Sequence, residues 1–299
     1  MRFEFMKAHS KKFPIEKMAA LLEVSRCGYY EFLGRKCRKR ALEDKTLSEA
    51  IKEIHKKSRG TYGSPRIHAE LKKQGFTSSR RRVANLMRRE NIQAKMRRKW
   101  KTTTQQSKKV VELAPNHLDQ QFKVEEPNKV WVSDITYVWT AEGWLYVAIV
   151  LDLFSRKVVG LSMGRTLKTK LVTKALKQAL YRRAIMDGGL MHHSDRGSQY
   201  TSKEFRELTF NHGVKLSMSD RGHCYDNAVA ESFFHTLKTE EVHLKQYRTR
   251  EEAKQAIFEY VEVFYNRQRL HSTLGYKSPK EFEEIWEREK AEEVYVLSV

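Results

Sequence analysis

The chain has 299 residues, with 58 Lys and Arg against 37 Asp and Glu, a formal net charge of +21. A surplus of that size points to a polyanionic partner, and 40% hydrophobic residues exclude a chain too polar to build a core. No run approaches the ~20 apolar residues of a membrane span, and three scattered cysteines, Cys27, Cys37 and Cys224, exclude a disulfide framework or a zinc finger.

The charge is unevenly placed. Residues 1–119 hold 31 Lys and Arg against 12 Asp and Glu, whereas residues 120–299 hold 27 against 25, so a nucleic-acid-binding part precedes a part with another task. Residues 1–12 are charged and lack the apolar stretch of a signal peptide, so a cytoplasmic protein is expected. Ile15, Met18, Ala19 and Leu22 form a helical stripe, and Ser25 is the predicted N-cap of a second helix through Leu33, with helix-turn-helix spacing. A helix near 44–57 follows. Ser64 and Pro65 then supply an N-cap and first-turn proline, Ile67 and Leu71 an apolar stripe, and Gly75 a stop. Ser78 or Ser79 caps the next helix, which opens with Arg80, Arg81 and Arg82. Three cations in a first turn oppose the helix dipole, a penalty that phosphates would relieve, so all three are candidate DNA contacts. The basic cluster KMRRKWK adds Arg97, Arg98 and Lys99, and the polar stretch after it predicts a linker.

Beyond Pro127 the texture changes. VWVSDITYVW, WLYVAIVLDLF and RKVVGLSMG are rich in Val, Ile, Tyr and Trp and predict three strands in a meander. A helix over 168–186, a strand over 190–193, a helix over 201–211 and a strand over 214–216 follow. Helices near 226–242, 250–266 and 279–293 close the chain. This order predicts an α/β fold, a mixed sheet with flanking helices, preceded by all-α helix-turn-helix segments. The expected division is 1–42 and 43–101 for the two helical DNA-binding units, 102–121 for the linker, 122–245 for the core and 246–299 for a helical extension.

Three carboxylates stand out. Asp134 lies mid-strand on the face of Val130, Val132 and Val138, where a carboxylate is expensive to bury unless something neutralises it. A metal ion would do so, as would a hydrogen bond to a neighbouring loop. Asp195 ends a short strand before Arg196-Gly197, a common ligand position in α/β sheets and also an ordinary turn signal. Glu231 shares a helix face with Lys238, opposite the stripe of Val229, Phe233 and Leu237, with Asn227 one turn upstream.

Taken in order, WVSDITYV, LDLFSRKVVG, HSDRGSQYTS, DNAVAESFFHTLKTE and YNRQRLHSTLGYKSPKEF resemble the successive motifs of DDE transposases of the insertion-sequence-three (IS-three) family, relatives of retroviral integrases. The resemblance covers nearly the whole chain, and the 35 residues between Asp195 and Glu231 match the family's D,D-35-E spacing. It implies an RNase H-like integrase core and makes Asp134, Asp195 and Glu231 the catalytic and metal-binding triad. It also makes Lys238 a DNA contact, with Asn227 beside it. Two divalent ions are implied, Mg²⁺ with Mn²⁺ as a substitute, and with them a strand-cleaving and strand-joining reaction on double-stranded DNA. A homo-oligomer on DNA in the prokaryotic nucleoid, an upstream-frame protein as partner and no membrane association complete the expectation. A catalytically idle DNA-binding regulator and a plain nuclease are the competing functions, and the intact triad speaks against the first. Asp220 and His223 depart from the family pattern, where a basic residue and an Asn are usual. Asp152 is expected to be structural, and His192, His193 and His235 to serve packing or DNA contact. Tyr200, Trp131, Trp139 and Trp144 are expected in the core. Tyr265, Asn266, Arg269 and His271 resemble a family motif whose role the sequence does not disclose.

Overall fold

The computed structural model describes residues 1–34, 39–95, 114–185, 189–219 and 224–298. Arg97, Arg98, Lys99, Asp220 and His223 lie outside the described residues.

Three short helices open the chain, α1 (Arg2–His9), α2 (Ile15–Leu21) and α3 (Arg26–Leu33). α2 and α3 are the predicted pair, and the Ser25 hydroxyl accepts from the Gly28 N–H at 3.0 Å to cap α3. α1 escapes a periodicity reading because only Met6 along it is buried, packed with Met18, Ala19 and Tyr29 in a small core of its own.

The next unit is α4 (Lys39–Lys57), α5 (Ser64–Lys73) and α6 (Arg80–Arg89). Gly63, not Ser64, sits at the N-cap of α5, with Pro65 in its first turn. Ser79 caps α6, its hydroxyl accepting from the Arg82 N–H at 3.2 Å. Leu47, Ile51, Ile67, Leu71, Val83 and Leu86 close the interior of this unit, which is continuous with the apolar interior beneath the sheet. The Tyr62 hydroxyl joins the two, donating to the Gln268 carbonyl at 3.1 Å and accepting from the Leu270 N–H at 2.8 Å.

The sheet has five strands in the order β3-β2-β1-β4-β5. β1 (Val130–Thr140), β2 (Gly143–Asp152) and β3 (Val158–Gly164) form the predicted antiparallel meander, while β4 (Met191–Ser194) and β5 (Lys215–Met218) run parallel to β1. One face is covered by α7 (Thr169–Arg183) and α8 (Lys203–Asn211), packed on Trp131, Ala148 and Val150. α9 (Ala228–Glu240) and α10 (Arg250–Glu259) cover the other, on Val132, Val138, Val147 and Ile149. α7 crosses β3 so closely that a Cβ on Gly160 would lie 2.2 Å from the Ala175 carbonyl oxygen, which only glycine permits there.

Three expectations need correction. The single helix expected over 250–266 is α10 followed by a π-helical turn, Tyr260–Tyr265, closed by Asn266 N–H to Val261 carbonyl at 3.0 Å. The wider turn lets Tyr260, Val261, Phe264 and Tyr265 all face inward. Second, the end of the predicted linker is docked: Leu118 is buried, and the His117 and Leu118 N–H groups donate to the Ser217 hydroxyl at 2.9 and 3.2 Å. Third, Trp131 is core but Trp139 and Trp144 are not, at 60% and 43% exposed. The helices on their face reach only as far as Ile135 and Tyr146, so none of the described helices covers the hairpin tip. α11 (Pro279–Ser298) ends the chain. No helix among the described residues is long and apolar enough to cross a membrane.

Candidate active site

β1 and β4 pair with a constant offset, Val130 with Met191, Trp131 with His192 and Val132 with His193. Carried two residues past the ladder, the same register sets Asp195 opposite Asp134. Asp134 leaves on the α9 face by the strand alternation, and Asp195, just past the end of β4, is close enough for its charge to act on Asp134. The two carboxylates therefore meet where β4 ends and the edge of β1 becomes free.

Glu231 reaches the same place from α9, whose Phe233 and Leu237 are buried while Glu231 is exposed. Asp134 keeps a sliver of solvent contact but lies deep among protein atoms. Burial and the charges of Asp195 and Glu231 push its carboxyl up to about 8. Asp195 is raised by burial and eased by the Gly197 N–H, which donates to Oδ1 at 3.0 Å. Glu231 is raised by burial and by Asp195. Burial lowers the Lys238 ammonium, which Asp134 partly restores, and its Nζ lies 5.2 Å from the centre of the Tyr137 ring. A partly desolvated carboxylate cluster with one lysine beside it is a site short of positive charge. Its hard oxygen donors suit Mg²⁺ or Mn²⁺. Among the described residues no three such side chains already converge on one point.

Several candidates belong to the scaffold. Asn227 is a correction: it is buried, and its Nδ2 donates to the Ser133 carbonyl at 3.0 Å, fastening the start of α9 to β1 instead of facing DNA. Asp226, the residue before it, accepts from Asn116 Nδ2 at 3.0 Å and Gln120 Nε2 at 3.1 Å. This support has no periodic signal and escapes sequence reasoning. Asp152 accepts from the Asn128 and Phe154 N–H groups at 2.8 and 2.9 Å, a structural role as expected. His192 and His193 are fully buried against Ser133, Ser217 and Ser219, and burial pushes them down to about 3 and about 4, so both are neutral packing groups. Tyr200 is core, as expected, yet its buried hydroxyl has no partner among the described residues and feels the charges of Asp134 and Asp195.

The motif of unknown role is a brace. Asn266 pairs with the backbone of β3 like a strand residue, Nδ2 to the Val158 carbonyl at 3.0 Å and Val158 N–H to Oδ1 at 2.9 Å. Arg269 grips Glu240, at the end of α9, through Nε at 2.8 Å and Nη2 at 2.7 Å, and the Tyr260 hydroxyl donates to the same carboxylate at 2.7 Å. His271 stands against Tyr265 and beside Arg269, and burial and that guanidinium push it down to about 2.

Of the arginines that open α6, Arg80 and Arg81 are exposed, while Arg82 pairs with Asp44 and Glu43 on α4, its Nε 2.8 Å from Asp44 Oδ1. Arg82 thereby also ties α6 to α4. Replacing Arg80 and Arg81 together with Ala is expected to flatten the slope of log affinity for DNA against log salt by about 2, with an unchanged melting temperature. Arg82→Ala is expected to lower the melting temperature and leave most of the slope. Salt titrations and thermal melts of the two variants check this.

An integrase core domain family matches residues 124–224 and a second integrase core domain model matches 231–285, while an HTH-like domain family matches 41–100. The chain is 37% identical over 285 residues, 95% of its own length and 98% of the relative's, to the transposase InsF of insertion sequence IS3A of Escherichia coli (strain K12). The chain belongs to the IS3 family of DNA transposases. It is also 43% identical over 267 residues, 89% of its length and 97% of the other's, to the uncharacterized 31 kDa protein of insertion element IS600 of Shigella sonnei. The catalytic core domain of BIV integrase resembles it at a TM-score of 0.41 and 19% identity, over 55% of this chain and 99% of that one. IS3-family membership implies an enzyme that acts on DNA with a divalent metal.

Proposed function

We propose that this transposase nicks the ends of its mobile element and joins the freed 3′-hydroxyl to a second phosphodiester at a site formed by Asp134, Asp195 and Glu231. The β1–β4 register, whose last pair lies two residues short of Asp134 and Asp195, and the fastening of the Glu231 helix to β1 through Asn227 support the reading. Asp134 with Asp195, and Asp134 with Glu231, each offer an ion two carboxylates and leave its other positions to water and phosphate, the habit of Mg²⁺. Two such ions, when bound, supply positive charge to the attacking and leaving oxygens. The chain's own part is to hold three carboxylates on fixed elements and, through Lys238, to seat the phosphate backbone. In joining, the attacking 3′-oxygen forms a bond to phosphorus as the bond to the leaving 3′-oxygen breaks; the attacking hydroxyl gives its proton to solvent and the leaving oxygen takes one from solvent to become a new 3′-hydroxyl. The number of bonds is conserved, so no external energy source is needed.

In this reading residues 1–42 and 43–101 grip DNA, 122–245 react and 246–299 brace the site. Arg97, Arg98 and Lys99 belong to the grip. Two ends must be processed together, so the working form is a homo-oligomer on nucleoid DNA, with an upstream-frame protein as a further partner. Purified protein, Mg²⁺ and labelled terminal repeats of the element test this. Nicking and joining by wild type, both absent in Glu231→Gln, are the expected result. Nicking without joining would leave a nuclease, and tight binding with no cleavage would leave a regulator.

A further inference from the structure

The tip of the β1–β2 hairpin carries an aromatic surface outside the site described so far. Tyr137, Trp139 and Trp144 are 51%, 60% and 43% exposed. Trp144 lies between the other two, 5.0 Å from Tyr137 at 82° and 4.8 Å from Trp139 at 75°. Each edge-to-face contact occupies one ring face, and the 51%, 60% and 43% exposure of the three side chains leaves ring surface open to solvent. The tip is also rigid: the Thr140 hydroxyl donates to the Gly143 carbonyl at 2.6 Å, the Ala141 N–H to the Tyr247 carbonyl at 2.9 Å, and Arg250 Nε to the Trp144 carbonyl at 3.0 Å. Three large rings held still in water mark a binding surface.

Position and charge name the occupant. Tyr137 lies three residues beyond Asp134 on β1 and therefore on the opposite face of the sheet, and β4 stops pairing at Val132, so among the described residues no strand covers the β1 edge round which one DNA strand passes from the carboxylates to the aromatic tip. Lys238 bridges that gap, its ammonium above the Tyr137 ring and within the field of Asp134. A ligand running along this edge meets a cation first and then exposed ring faces, which is the pattern that binds unpaired nucleotides. Bases inside a duplex have no free faces to offer.

We propose that Tyr137, Trp139 and Trp144 form a stacking platform for unpaired bases of the DNA strand whose phosphodiester lies at the carboxylates. This rests on the DNA-processing reading above and adds that the strand leaves the duplex at this edge. The platform selects for a frayed or single-stranded flank and does not depend on base identity.

Binding without cleavage tests it, in Ca²⁺ or EDTA, with one labelled duplex carrying either a three-nucleotide single-stranded extension or an abasic extension of the same length. Both extensions have the same phosphates, so their difference isolates stacking. Wild type is expected to bind the base-bearing form about tenfold tighter and to show quenched tryptophan fluorescence with that form alone. Trp139→Leu with Trp144→Leu, checked for an unchanged melting temperature, is expected to erase the difference and keep affinity for the blunt duplex. Equal affinity of wild type for the two extensions would overturn the platform even if nicking and joining proceed. If the Leu variant also falls from oligomer to monomer in sedimentation, the rings face a second protein. Failure to bind the blunt duplex as well would overturn both the platform and the DNA reading.

Discussion

Asp134→Asn is expected to lose nicking and joining by about a thousandfold or more, yet to outlast wild type in urea at pH 8 when EDTA is present. The first half follows from the proposed site, in which Asp134 stands within the field of both other carboxylates and is shared between them as a metal ligand. Removing such a ligand forfeits charge stabilisation of several kcal/mol, and ~4 kcal/mol is a thousandfold in rate. The second half follows from the sign of the shift. The Asp134 carboxyl is raised from its ordinary 3.8 to about 8 in the fold, by burial first and by Asp195 next. Its favourable contribution is complete below about 4 and is lost as pH rises through about 8, because the unfolded chain ionises freely and the folded one does not. Wild type in EDTA should therefore lose ~1 kcal/mol of stability between pH 7 and 8, a range above the main titration of unfolded His192 and His193. Asn carries no such slope, and saturating Mg²⁺ should remove it from wild type. Parallel urea curves for the two proteins at both pH values, with and without metal, would contradict this account.

Glu240→Ala is expected to destabilise the protein by about 3–5 kcal/mol, although Glu240 touches no substrate. It leaves Arg269, nearly fully buried, without the carboxylate that holds it through two hydrogen bonds. Burial works against the Arg269 charge and Glu240 outweighs it, so the guanidinium ends above its ordinary range. An uncompensated buried cation is among the costliest single changes a fold can suffer. The Tyr260 hydroxyl loses its acceptor as well. The double variant Glu240→Met with Arg269→Met should be much less damaging than the sum of its parts, since neither charge is then stranded. Urea denaturation of the single and double variants measures this coupling. A small loss for Glu240→Ala would show that water reaches Arg269.

The sheet and the placing of Asp134 within β1 and of Asp195 at the end of β4 are legible in the sequence because both are local patterns. The alternation around Asp134 and the turn at Asp195 need only neighbouring residues, and the ordered motifs joined them to Glu231. The scaffold bonds of Asn227 and Arg82 are hidden from the sequence for a single reason. A polar side chain at the start of a helix looks alike whether it faces solvent or, as here, reaches Ser133 on β1 or Asp44 on α4. Trp139 and Trp144 were placed inside because tryptophan is expensive to expose, and only the reach of the covering helices shows otherwise. The brace of Asn266 and Arg269 lay beyond sequence reasoning because its partners, Val158 and Glu240, are 108 and 29 residues away.

The Tyr62 hydroxyl ties the basic helices to the far end of the chain through two backbone hydrogen bonds over a shared apolar interior. The basic helical unit and the sheet unit, grip and reactive core in the proposed function, are therefore expected to melt together. Grafting helices from a distant relative to redirect the enzyme would fail at this seam unless the loop from Gln268 to Leu270 travelled with them. If α6 reads the element ends as proposed, new end sequences are reached more easily by changing its exposed Arg80 and Arg81 than by exchanging whole modules.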